Sequence, residues 1–173
     1  VIASCLPRVE ATIQTIKQAV PVVVIDNSSA DKSIPSVIID DFNAYVRSVD
    51  YITSLGHRRI GFMCGLADSD IGNNRFAGYT HGLRKHNIAL DTTLVFKGNY
   101  SFESGTQGAN YFLSLKTPPS AIICANDSMA LGAMKKLDSA GVRVPEDISI
   151  IGFDDIDIAS QITPALTTVA ADL

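Results

Sequence analysis

A chain of 173 residues that is 46% hydrophobic can bury a substantial core, either as one domain or as much of a two-lobed one. Its 14 Lys and Arg against 18 Asp and Glu give a formal charge of -4, which argues against a sequence-independent phosphate-binding surface; this segment is not itself a DNA reader. No apolar run reaches bilayer length, and Cys5, Cys64 and Cys124, odd in number and far apart, read as thiols in a reducing compartment rather than as a disulfide or metal framework.

In chain order, Val1-Ile2-Ala3 reads as the inside of a strand. Strand-like apolar runs follow at residues 22–25, 37–39, 59–64, 94–96, 121–124 and 148–151, and most spacers between them carry helical periodicity. Such alternation predicts an α/β fold of parallel βαβ units with helices on both faces of the sheet. The spacer before Gly56 aligns Phe42, Val46, Val49, Ile52 and Leu55 in one stripe and ends Gly56-His57-Arg58-Arg59, a helix stop with basic residues near the negative end of the dipole. A second helix is expected after Asn74, with Phe76, Tyr79 and Leu83 inward, and a third after Asp127, with Met129, Ala130, Ala133, Met134 and Leu137 available for packing. Pro145 ends a preceding helix, and Ile148, Ile150, Ile151 and Gly152 form a buried strand that delivers Asp154 and Asp155 at its far end. In α/β folds that end faces the ligand crevice.

Several side chains at such ends have useful chemistry. Arg75 is expected to open a helix after the loop 65–74, where its rigid fork of donors suits vicinal hydroxyls or a carboxylate. Asn126 ends an apolar strand and either caps the next helix alongside Asp127 or contacts a ligand, since an amide donates and accepts at once. Asp26 either supplies an acceptor at its strand end or initiates the turn Asn27-Ser28-Ser29. Asp155 is expected to cap the following turn or hold the structure together, and Phe102 to be core. His57, His81 and His86 have neither metal-ligand spacing nor a nucleophile partner and read as surface histidines. An enzyme built on Asp154, Asp155 and Asp157 would lack a nucleophile, a second ligand set and a phosphate loop, so no catalytic residue, metal or cofactor is expected.

Six segments closely resemble, in order and spacing, the effector-binding core of the lactose-repressor/galactose-repressor family of bacterial transcription regulators. They are Pro21-Val22-Val23-Val24-Ile25-Asp26, the stretch from Leu55 to Phe62, Arg75-Phe76-Ala77-Gly78-Tyr79, the stretch from Asn126 to Gly132, the stretch from Pro145 to Asp155, and Pro164-Ala165-Leu166-Thr167-Thr168-Val169. The resemblance implies a type I periplasmic-binding-protein-like fold: two lobes with parallel sheets flanked by helices, joined by crossovers, with the effector between them. Residues 1–41 then look like part of the N-terminal lobe, 42–163 like the C-terminal lobe, and 164–173 like a crossover strand returning. One departure is Asp40-Asp41-Phe42-Asn43-Ala44, where the family commonly has Asp-Asn, so an effector contact from that corner is not expected.

The resemblance implies that Arg75 and Asp154 contact the effector and that Tyr100 stacks on its ring, with Asn126, Asp26 from the other lobe, and Ser69 and Ile71 on the loop before Arg75 as further contacts. Both Arg75 and Asp154 are expected to line the cleft rather than the core, so that either could be replaced with the fold intact. One cation against Asp26 and Asp154 suits a neutral polyhydroxylated ligand, a sugar or nucleoside, better than a phosphate or dicarboxylate. Leu131 and Ile162 match positions facing the partner in a homodimer. The implied partners are therefore the effector, a second copy, and operator DNA through a helix-turn-helix head absent from these residues; no membrane is implied, and the implied location is cytoplasmic. The alternative is a secreted solute-binding protein serving a sugar transporter.

Overall fold

The computed structural model describes residues 2–3, 10–25, 31–66 and 69–170. Two parallel sheets organise them. The smaller has the order β1 (Ile2–Ala3), β2 (Val24–Ile25), β3 (Ser36–Val37), with α1 (Glu10–Ile16) in the first crossover and Ile13, Val22, Val24 and Ile34 as its buried core. The turn that follows Ile25 lies outside the described residues, as do Asp26 and Cys5.

The larger sheet has five parallel strands. Its three inner strands are β4 (Ile60–Cys64), β6 (Ala121–Cys124) and β7 (Ser149–Asp154), flanked by β5 (Val95–Lys97) and β8 (Thr167–Ala170). The inner strands are continuous apolar runs because helices cover both faces. On one face, Ala44, Tyr45, Val49 and Ile52 of α2 (Asp41–Ser54) and Tyr79 and Leu83 of α3 (Asp70–Lys85) meet Phe62, Ile123, Ile151 and Phe153. On the other, Ala109 and Phe112 of α4 (Phe102–Ser114) and Met129, Ala133 and Leu137 of α5 (Asp127–Ser139) meet Met63, Ile122, Cys124 and Ile150. The alternation Phe62/Met63, Ile122/Ile123 and Ile150/Ile151 is the period-two pattern of strands that feed two cores. A short helix α6 (Asp157–Gln161) connects β7 to β8.

Four details differ from the sequence reading. Leu55 follows α2 and is exposed rather than part of its apolar stripe. α3 starts at Asp70, capped by Ser69, so Arg75 lies in its second turn and not at its opening. Phe102 is exposed at the start of α4 rather than in the core. His57 is half-buried: its Nδ1 is 2.9 Å from Ser120 Oγ and its Nε2 is 3.2 Å from Ser149 Oγ, tying together the beginnings of β6 and β7.

Candidate ligand-binding site

The order β5-β4-β6-β7-β8 sets the location of the site. The chain leaves β4 for β5 on one side and then returns to β6 on the other, so a crevice opens beyond the carboxyl ends of β4 and β6. The loops after β4, β5, β6 and β7 all arrive there, and they carry Ser69, Tyr100, Asn126 and Asp154.

Arg75 reaches this crevice from α3, but as a buried side chain, 4% exposed. Its Nε donates to Asp41 Oδ1 at 2.8 Å, and Nη1 donates to the Ala125 carbonyl at 2.5 Å. The guanidinium lies 4.2 Å from the centroid of the Phe153 ring and 5.9 Å from those of Tyr45 and Tyr100. Burial works against the charge, but the Asp41 carboxylate beside it, which also accepts its hydrogen bond, outweighs burial and keeps Arg75 protonated. Tyr45 is fully buried; its hydroxyl donates to the Cys124 carbonyl at 3.0 Å, and burial pushes its pKa well above the ordinary range, so it remains a donor. The carbonyls of Cys124 and Ala125, where β6 ends, are therefore both held by side chains from the α2 and α3 face. Arg75 is thus part of the core as well as of the crevice, contrary to the expectation that it lines the cleft rather than the core.

Tyr100 has φ +68° and packs its ring on Gly65, where a Cβ would lie 1.9 Å from Tyr100 Cζ, so only glycine leaves room for that ring. Asn126 holds this strained conformation in place. Its Nδ2 donates to the Tyr100 carbonyl at 3.0 Å, while its Oδ1 accepts the Met129 N–H and caps α5. The amide holds the pocket's aromatic residue and starts the helix at the same time.

Asp154 ends β7, exposed, with φ +115°, and Asp155 follows at +56°. Residues in such regions store on the order of 1–3 kcal/mol each and persist only where neighbours fix them. The fixing group is Asp127, completely buried, and not Asp155. Asp127 Oδ2 accepts the Ile156 N–H at 3.0 Å and Oδ1 accepts the Thr168 hydroxyl at 2.6 Å. Burial raises the Asp127 pKa, and those hydrogen bonds oppose the rise. Gly152 makes room for it, since a Cβ there would lie 2.0 Å from Oδ1. Asp155 is exposed and gives no side-chain cap to α6, whose N-cap is Ile156. The structural role expected of Asp155 belongs to Asp127.

The remaining expected residues fall in two places. Ser69 caps α3, accepting from Gly72 N at 3.0 Å and donating to the Leu66 carbonyl at 3.1 Å, and Ile71 is buried beside it. Leu131 and Ile162 line a separate groove of about 650 Å³, with Phe102, Met134, Val144 and Pro164. Asp41, Tyr45, Asp127 and Phe153 underlie the crevice; the sequence signals for Asp41 and Asp127 are only those of helix starts. Among the described residues, no group of three or more His, Cys, Asp or Glu is arranged to hold a metal, and no helix is long and apolar enough to cross a membrane.

Comparison with known proteins places this architecture in a family. Residues 49–173 match the family model of the periplasmic binding protein-like domain. The chain is 36% identical over 161 residues to the HTH-type transcriptional repressor CytR of Escherichia coli, covering 93% of this chain and 47% of that protein. It thus spans about half the length of the curated relatives it matches. A sugar-binding transcriptional regulator of the LacI family from Escherichia coli, solved in complex with phosphate, superposes with TM-score 0.83 at 38% identity, over 92% of this chain and 58% of that one. The transcriptional regulator CelR in its cellobiose complex superposes with TM-score 0.88 at 29% identity, over 98% and 53% respectively. These relatives are transcription regulators and not enzymes. With the six motifs in register, the parallel sheets and these matches, the chain belongs to the LacI family and carries its periplasmic binding protein-like domain.

Proposed function

We propose that this chain is the effector-sensing part of a transcription regulator and that its effector is a small neutral polyhydroxylated molecule, a sugar or nucleoside. The observation that carries this reading is the Arg75–Asp41 ion pair at 2.8 Å: the buried guanidinium beneath the crevice is matched within the protein, and the rim carries Asp154. A phosphate or dicarboxylate would need further cations. A ring stacked on Tyr100, with hydroxyls directed to Arg75, Asn126 and Asp154 and to Asp26 from the other lobe, matches the donors and acceptors available. Ser69 and Ile71 contribute shape more than hydrogen bonds, since Ser69 is engaged as a helix cap.

In this reading residues 1–41 belong to one lobe, 42–163 to the other, and 164–173 to a crossover strand. Binding draws the lobes together and alters how a homodimer, formed across the Leu131 and Ile162 groove, holds operator DNA in the cytoplasm. The regulator relatives favour this over a solute-binding protein.

Calorimetric titration with ribose, glucose, cellobiose, cytidine and adenosine, against inorganic phosphate and citrate, tests it. A neutral compound should bind, and Asp154→Ala should weaken it on the order of 10- to 100-fold, the value of a hydrogen bond to a charged group. Binding of the anions alone, or undiminished binding in Asp154→Ala, overturns it.

A further inference from the structure

We infer that Asp127, buried beneath the crevice and not on its surface, is the positioning residue that sets the direction of Asp154 and links it to β8. The inference rests on the reading of Asp154 as a ligand contact. Three observations converge on it. The backbone at Asp154 and Asp155 is in the left-handed half of conformational space, where an ordinary residue does not stay unaided. The turn is gripped one residue further on, by the Ile156 N–H donating to Asp127 Oδ2 at 3.0 Å. The other oxygen of the same carboxylate accepts the Thr168 hydroxyl at 2.6 Å, and Thr168 Oγ1 in turn accepts the Asp155 N–H at 3.4 Å. Asp127, Thr168 and the turn therefore form a closed loop of hydrogen bonds that includes a residue of β8.

Asp127 is also the residue next to Asn126, which fixes the Tyr100 carbonyl. One corner at the start of α5 thus holds both strained segments of the crevice, Tyr100 through Asn126 and Asp154 through Asp127. A carboxylate suits the turn after Asp154 because it is acceptor-only, takes several donors at once, and sits favourably in the first turn of a helix. An amide of the same shape would present N–H groups to donors that need acceptors.

The test uses Asp127→Asn, which keeps the volume over Gly152, and Thr168→Val as a second variant should the first fail to fold. Amide hydrogen exchange followed by NMR without ligand should show Ile156, and Asp155 beside it, exchanging on the order of 10- to 100-fold faster, with Ile122 and Ile123 of β6 unchanged. With whichever of ribose, glucose, cellobiose, cytidine and adenosine the wild type binds, Asp127→Asn should weaken binding about tenfold, yet add nothing in an Asp154→Asn background, because it acts through Asp154. Tyr79→Phe, which loses a buried hydrogen bond to the Ile60 carbonyl away from the crevice, should lower stability and leave affinity unchanged. Unaltered exchange at residues 155 and 156, or equal losses of affinity in both backgrounds, overturns the assignment. If wild type binds none of the five neutral compounds, the ligand reading falls, and the exchange result alone decides whether Asp127 sets the turn.

Discussion

Arg75 and Asp41, 34 positions apart in sequence, meet through a 2.8 Å hydrogen bond under the crevice, each side chain no more than 6% exposed. Removing one partner strands the other charge in the interior, which costs about 3–5 kcal/mol, whereas replacing both with apolar groups costs far less. Arg75→Ala and Asp41→Ala should therefore each lower stability by about that amount in urea unfolding. The double variant Asp41→Leu with Arg75→Met should lose less than the sum. Additive losses would show that the two charges are not paired. An arginine merely lining the cleft could be removed with the fold intact; one buried against Asp41 cannot.

Asp154 holds φ +115° at the rim, a conformation that glycine adopts without strain. Asp154→Gly should raise stability by roughly 0.5–2 kcal/mol and at the same time reduce affinity for a neutral sugar or nucleoside. Thermal unfolding and titration of the same preparation separate the two effects. A loss of stability would mean that the side chain itself supports the turn.

Burial between Ser120 and Ser149 lowers the His57 pKa, so the folded state favours the neutral ring. A depressed folded pKa contributes stability above the unfolded value of about 6.5 that is lost as pH falls through the folded value. Between pH values of about 7.5 and 5, which bracket that range, the wild type should lose stability with a slope that His57→Gln flattens, although the variant starts from a lower level. Parallel pH profiles would rule His57 out as the cause.

Leu131 is partly exposed on α5 and lines the groove that also holds Ile162. Leu131→Glu should leave circular dichroism unchanged and give a monomer by sedimentation, if the groove is where two copies meet. An unfolded variant would place Leu131 in the core instead.

The inner strands are legible in the sequence because both of their faces are covered, which turns β4, β6 and β7 into unbroken apolar runs with little ambiguity. Helix starts are harder. The stretch Asp70-Ile71-Gly72-Asn73-Asn74 carries turn-forming residues, and only the Ser69 cap with Asp70 in the first turn marks it as the beginning of α3. α4 escapes a periodicity reading because Gly105 and Gly108 dilute its apolar stripe. At the crevice, Arg75, Tyr100, Asn126 and Asp154 are reached from strand ends and motif positions, and the structure gathers Arg75, Tyr100 and Asn126 into one contact group. What supports them is not legible. A buried Asp127 and an exposed Asp155 carry the same local signal, a carboxylate near a helix start, and only long-range partners such as Thr168 tell them apart.

The division of labour at the start of α5 bears on how such a protein changes its ligand. Asn126 grips Tyr100 through a backbone carbonyl, and Asp127 grips the turn after Asp154 through a backbone N–H, so neither hold depends on which side chain stands at 100 or 154. A side chain at either position can therefore change without releasing the hold on its backbone, within the choice that a positive φ at 100 and 154 leaves open. The groups that would face a ligand are thus held by neighbours that do not touch their side chains.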